Sequence, residues 1–313
     1  MHQDQDIYRQ FCAEETDVPI FMQPWWLDVV TQASGWGVSI AQDAQSKIKA
    51  ALTYGIFSKY GVKYLSNPVL TPYCGPWLTP IRTDQYYEIN SFENQQISEL
   101  IANLPSAALV ILKLFPTAIN AFPWVWSGYK TGLKHTYHLD LAPNYEQQYK
   151  DTVHQDILRA SARLSVQTSQ SPEDLFRLTE QLFLHQKKKT PFTESLLHQL
   201  CEQIHNHHAG VLAYVRDEKN RLVAGALLVW DHSTAYYLIG ARDPQNDPGG
   251  AMSYLLHQLI KHLPAHLKIF DFEGSMIKGV EHFFRSFGGQ RANVLEVTKP
   301  SSLLAKIYMV LKA

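Results

Sequence analysis

Two stretches decide the fold: LVILKLFPTAINAFPWVWSGYKTGLKHTYHLDL at 109–141 and LKIFDFEGSMIKGVEHFFRSFGGQRANVLEVT at 267–298. Each reads as a short apolar strand, a connector, an aromatic-rich helix, a glycine and an alternating strand. A strand–helix–strand unit recurring at so long a spacing points to a duplicated domain rather than to a solenoid. The expectation is two copies of one α/β fold, with function sought where they meet.

Composition agrees with two ordinary domains. The chain has 313 residues, 45% hydrophobic and 18% charged, which is a globular balance. Its formal net charge of −1 excludes a global basic surface for nucleic acid or anionic lipid. The three cysteines, Cys12, Cys74 and Cys201, are too scattered for a disulfide framework or a thiolate zinc motif. MHQDQDIYRQ at the start lacks the basic-then-apolar pattern of a signal peptide. The longest apolar runs fall far short of the ~20 residues that span a bilayer. The reading is therefore a cytoplasmic protein without a membrane span.

Outward from the first stretch, Pro24 opens a helix with Trp25, Val29 and Val30 on one face. Strands are expected at 36–41, 48–59 and 62–65, and a helix over 86–104. Between them NPVLTPYCGPWLTP (67–80) reads as a rigid, irregular loop because of its prolines and glycine. Upstream of the second stretch, helices are expected near 149–157, from Ser171 as N-cap, and through Leu196–Ile204. Strands at 211–216, 222–230 and 235–239 precede a Gly-rich turn and a helix carrying Leu255 and Leu259. The order of this half is helices, three strands, then α–β–α–β.

Antiparallel strands followed by a β–α–β unit make a mixed sheet covered by helices. That order resembles the GNAT-type N-acyltransferase fold. NDPGGA at 246–251 stands where the family holds an acyl-CoA diphosphate on the N-terminus of a helix. Gly249 and Ala251 match the family pattern there. Asn246 replaces its basic or amide-bearing first position, and Asp247 adds a negative charge. FDFEGSMIKGVEHFFRSFG at 270–288 is similar to the closing segment of FemAB-like (Fem-type) aminoacyltransferase relatives, which carry two tandem GNAT-like domains. MQPWWLDVV (22–30), CGPWLTP (74–80) and VWD…AYYLIGARDP (229–244) resemble the same group. The implied organisation is α/β, with a mixed α+β sheet in each of two GNAT-like domains, at 1–144 and 145–298. A tail over 299–313, with Leu303, Leu304, Ile307, Tyr308 and Leu311, is expected to pack on the first.

The resemblance implies transfer of an acyl or aminoacyl group to an amine. No tightly bound cofactor is expected; acyl-CoA and aminoacyl-tRNA are the two co-substrates implied, so tRNA stands as a partner. The acceptor is a small molecule or cell-wall-precursor amine. The donor would lie along Gly240, Asn246, Gly249, Gly250 and Ala251, with a backbone N–H near Gly240 for the oxyanion. Asp271 and Glu273 are the catalytic candidates, since an acid ending an apolar strand can act as a base. Alternation on a strand would point both one way. Their structural alternatives are a helix cap and an ion pair with Arg285, which is also a candidate for gripping an anionic substrate group. Lys63, Tyr73 and Trp77 are the candidates for the acceptor side. His205 and His208 have helical metal-ligand spacing, but no third ligand completes a set, so no metal is expected. A non-catalytic binding protein on the same fold is the rival reading.

Overall fold

The computed structural model describes residues 2–32, 35–59, 61–243, 245–274, 276–302 and 305–306. In chain order its elements are α1 (His2–Glu14), α2 (Pro24–Thr31), β1 (Trp36–Gln42), β2 (Ile48–Lys59), β3 (Val62–Ser66), β4 (Trp77–Leu78), α3 (Tyr86–Ala102), β5 (Leu109–Lys113) and α4 (Phe122–Trp126). There follow β6 (Lys130–Asp140), α5 (Asp151–Ser161), β7 (Leu164–Ser169), α6 (Glu173–His185), α7 (Glu194–Asn206), β8 (Gly210–Asp217) and β9 (Leu222–Trp230). The chain closes with β10 (Thr234–Arg242), α8 (Ala251–Lys261), β11 (Ile269–Asp271), α9 (Lys278–Ser286) and β12 (Gln290–Pro300). Two compact units result: Met1–Lys134 with Asn293–Ala313, and His135–Ala292. Of the tail, Leu303, Leu304, Ile307, Tyr308 and Leu311 lie outside the described residues.

In the first unit the strands follow the order β1-β2-β3-β5-β12, with β4 on β2. The pairs are antiparallel except β3 with β5, which run parallel across the α3 crossover. The core gathers Leu52, Tyr54, Leu65, Leu100, Leu112, Trp124 and Val297. Pro24 does sit in the first turn of α2, but the buried face is Trp26, Leu27 and Val30 rather than Trp25 and Val29. Within the proline-rich loop, Trp77 and Leu78 pair with Ala51 and Ala50, so the segment read as wholly irregular contains a short strand. Pro76 and Pro80 flank that strand without interrupting it, as edge prolines can.

The second unit has the order β6-β11-β10-β9-β8-β7. Here β10 and β11 are the parallel pair, joined through α8. Strand β9 is buried along nearly its whole length, as expected of an apolar run with α6 and α8 both packed on it. The core gathers Leu139, Tyr149, Ala226, Leu228, Leu255, Phe270, Phe272, Phe284 and Phe287. Strand β7 was not anticipated, because LSVQTS carries only two apolar residues on a largely exposed strand. Ser171 does not cap α6: the helix starts at Glu173, and the Ser171 carbonyl instead accepts from the Tyr214 hydroxyl at 2.7 Å. Asp174 pairs with Arg177 and Arg216. Thr193 does cap α7, accepting from the Leu196 N–H.

The repeated stretches are strand–helix–strand, and their closing strands are exchanged. Strand β6 follows α4 in sequence yet pairs with β11; β12 follows α9 yet pairs with β5. No helix among the described residues is long and apolar enough to cross a membrane.

All three thiols are unbridged. Burial pushes Cys12 up to about 11 and Cys201 up to about 12, and raises Cys74 well above the ordinary thiol value. Only the thiolate reacts. The native chain at pH 8 is therefore expected to react with a thiol-modifying disulfide about a hundredfold more slowly than the unfolded chain. Stopped-flow labelling with and without denaturant measures this.

Candidate active site

Strands β10 and β11 are hydrogen-bonded over only three register pairs: Thr234–Ile269, Ala235–Phe270 and Tyr236–Asp271. Strand β11 ends there, while β10 runs on to Arg242. The register of β10 against β9 also shifts between Tyr237 and Ile239, a bulge that turns the strand just past the last pair. The two strands thus part where the acid candidates stand. The Tyr237 ring lies in this region: its hydroxyl meets the Met252 sulfur at 3.3 Å, and the ring packs edge-on against Phe284. It also covers Gly240, where an added Cβ would collide with the Tyr237 hydroxyl. The expected donor position beside Gly240 is occupied by this side chain.

Asp271 is 1% exposed. A buried carboxylate must be met by donors or it would not stay ionised. Thr136 on β6 donates its hydroxyl to Oδ1, the Glu273 N–H donates to the same oxygen at 2.8 Å, and His138 Nε2 stands 3.3 Å from Oδ2. His138 is directly opposite Asp271 in the β6–β11 register, and Thr136 is two residues away on the same face. The imidazole is at ion-pair distance, not in hydrogen-bond alignment. The His138 side chain is 24% exposed, while Nε2 itself is buried against the carboxylate.

Glu273 does not share the direction of Asp271. It lies beyond the strand with φ +55°, followed by Gly274 at φ +56°, so strand alternation does not apply. It does not cap α9 either, whose first turn begins at Lys278 with no side-chain cap. Arg285 pairs with Glu281 at 2.9 Å on its own helix, which corrects the expected link to Asp271 or Glu273. Glu281 also accepts from the Tyr137 hydroxyl at 2.6 Å. That hydrogen bond first, and Arg285 second, hold the Glu281 carboxyl below the usual carboxylate range.

The turn into α8 is filled from within. Asp247 Oδ1 accepts from the Gly249 N–H at 2.8 Å and, at long range, from the Ala251 N–H at 3.4 Å. Its other oxygen takes Arg242 at 2.8 Å. The Asp247 carboxylate is 3% exposed and Arg242 is 54% exposed, so the anion is inside and the cation lies over it. Asn246 turns its amide to Asp243 at 2.6 Å. Gly250, at φ +86°, packs on Asp156 of α5, where a Cβ would come within 2.7 Å of the Asp156 carbonyl oxygen. Asp156 in turn pairs with Arg159 and reaches toward Ser253.

The first unit contains the equivalent parallel pair, Tyr64–Leu109 to Ser66–Ile111, but its opening is stitched shut. Asn67 bonds both the N–H and the carbonyl of Lys113, the Cys74 N–H also bonds that carbonyl, and the Phe115 N–H bonds Gly75. Tyr73 is 2% exposed among Phe21 and Phe115, and Trp77 is anchored by its indole N–H to Asp17 at 2.8 Å. These rings hold the plugging loop; they do not line an open pocket, which corrects the expectation. Lys63 lies on β3 opposite Ser58, and its carbonyl accepts from Ala108. His205 and His208 have ring centroids 6.4 Å apart, and no group of three potential metal ligands occurs among the described residues.

Residues 151–285, within the second unit, match the family model described as an acetyltransferase (GNAT) domain. The solved structure of FemX is similar over 100% of this chain and 99% of its own, with a TM-score of 0.68 at 13% identity. The C-terminal domain of a putative lysylphosphatidylglycerol synthetase from Agrobacterium fabrum covers 99% of this chain and 94% of its own, at 0.57 and 13%. A tandem GNAT protein of the clavulanic acid biosynthesis pathway covers 91% and 98%, at 0.51 and 10%. No curated protein matches the sequence. The second unit is a GNAT-type acetyltransferase domain. In fold, the whole chain is similar to these three solved structures.

Proposed function

We propose that the second unit transfers an acyl or aminoacyl group from an activated carrier to an amine. The observation that carries this reading is the buried Asp271, held by Thr136 and facing the partly exposed His138 where β10 and β11 part. In the reaction the amine nitrogen attacks the donor's carbonyl carbon. The tetrahedral oxyanion then collapses, expelling the carrier's alkoxide or thiolate, which takes up the proton released by the amine. His138, at ion-pair distance from Asp271, takes the proton the amine sheds and passes it to the leaving group, and backbone donors of the bulged β10 face the oxyanion. The GNAT family match and the Fem-type likeness support an acyl donor with an amine acceptor. A cell-wall precursor remains the acceptor class of choice.

The rival, a binding protein without turnover, draws support from Tyr237 and Asp247, which fill the ground a donor would use. A transfer assay decides. Purified protein is given a panel of amine acceptors with either acyl-CoA or aminoacyl-tRNA, and products are read by mass spectrometry. Amide formation with at least one donor class is expected. Binding of an acceptor without amide formation from any donor would favour the rival.

A further inference from the structure

The start of α8 has the parts of an anion seat: a glycine-rich turn, backbone N–H groups and the positive end of a helix. In this chain the seat already holds an anion. Asp247 takes the N–H groups of Gly249 and Ala251, is almost fully buried, and is neutralised by Arg242. Asp156 adds a second carboxylate on the α5 side, against Gly250 and near Ser253. A diphosphate arriving here would have to displace Asp247 from two N–H groups of the turn, and would meet two carboxylates already paired with Arg242 and Arg159. Independently, the Tyr237 ring covers Gly240 and packs against Met252 and Phe284. A thin acyl chain threaded from α8 toward β10 would meet that ring.

We propose that Asp247, latched by Arg242, is a specificity determinant that closes the second unit to donors carried on a diphosphate, with Tyr237 closing the adjoining slot. This deepens the transferase reading and rests on it for its meaning. The donor consumed here presents its ester or thioester without a diphosphate seated at α8. Free coenzyme A therefore does not bind the native protein.

Calorimetric titration with coenzyme A tests this on the full chain. No saturable binding is expected for the wild type up to about 1 mM. Asp247→Ala empties the seat and frees the Arg242 guanidinium for phosphate, and Tyr237→Ala opens the slot. The double variant is expected to bind coenzyme A at least about tenfold more tightly than the wild type. Arg242→Ala retains the carboxylate and is expected to stay closed. Micromolar binding by the wild type overturns the proposal whatever the variants do. So does a double variant that melts cooperatively yet gains no affinity. Gain of binding in a protein that transfers no acyl group from any donor upholds the latch and removes the transferase reading, so the two failures are separable.

Discussion

Asp271→Asn is expected to cut acyl transfer by about a hundredfold or more while leaving the fold intact. The asparagine carbonyl can still accept from the Thr136 hydroxyl and the Glu273 N–H, both of which converge on Oδ1. What disappears is the negative charge 3.3 Å from His138 Nε2, and with it the stabilisation of an imidazole that has taken up a proton. Asp271→Ala differs in kind. It leaves a buried hydroxyl and a backbone N–H without their acceptor, and is expected to cost about 3–5 kcal/mol of stability as well. Steady-state rates with thermal melts separate the two effects. His138→Ala is expected to slow acyl transfer by about a hundredfold without loss of stability. Full turnover in Asp271→Asn, at unchanged stability, would remove this pair from the mechanism.

The largest purely structural effect is expected from Gly274→Ala. Gly274 has φ +56°, which a side chain disfavours, and its new Cβ would collide with the His135 carbonyl oxygen and lie 2.7 Å from the Thr136 Cα. Those are backbone atoms of the strand that supplies Thr136 and His138, so relief requires moving β6 away from β11. Backbone strain and overpacking together give about 3–5 kcal/mol. Gly279→Ala is the control. It lies in α9 with no atom within 4 Å of the added Cβ, and a helical alanine is favoured over glycine by ~1 kcal/mol. Denaturant melts of both variants measure the contrast; equal midpoints would show that the close approach at Gly274 is not rigid.

Particular residues show how much of the site could be read in advance. Asp271 was legible because a lone acid at the end of an apolar strand must find partners. Its partners were not, since Thr136 lies 135 residues away and becomes a neighbour only through the β6–β11 register. His138 was visible in HTYHLDL, but nothing local distinguishes it from a surface histidine on an alternating strand. Glu273 was misplaced because alternation was extended one step past the end of β11, into a left-handed turn. Asp247 was legible as an unwelcome charge in a phosphate-type turn. That it folds back to occupy the turn follows from its reach to Gly249 and from Arg242, five residues before it.

By itself the sequence determined the elements and the kind of domain they make. Apolar runs such as 222–230, prolines at helix starts and glycines at helix ends act through local sterics and solvation, which neighbours in the chain decide. Tertiary structure alone decided that β6 completes the sheet of the second unit while β12 completes that of the first. It also decided that one parallel pair is stitched shut by Asn67 while the other parts beside a buried carboxylate. A strand's pattern fixes which of its faces is apolar, but its hydrogen-bonding edges are alike, so the partner is chosen by the packing of the whole chain.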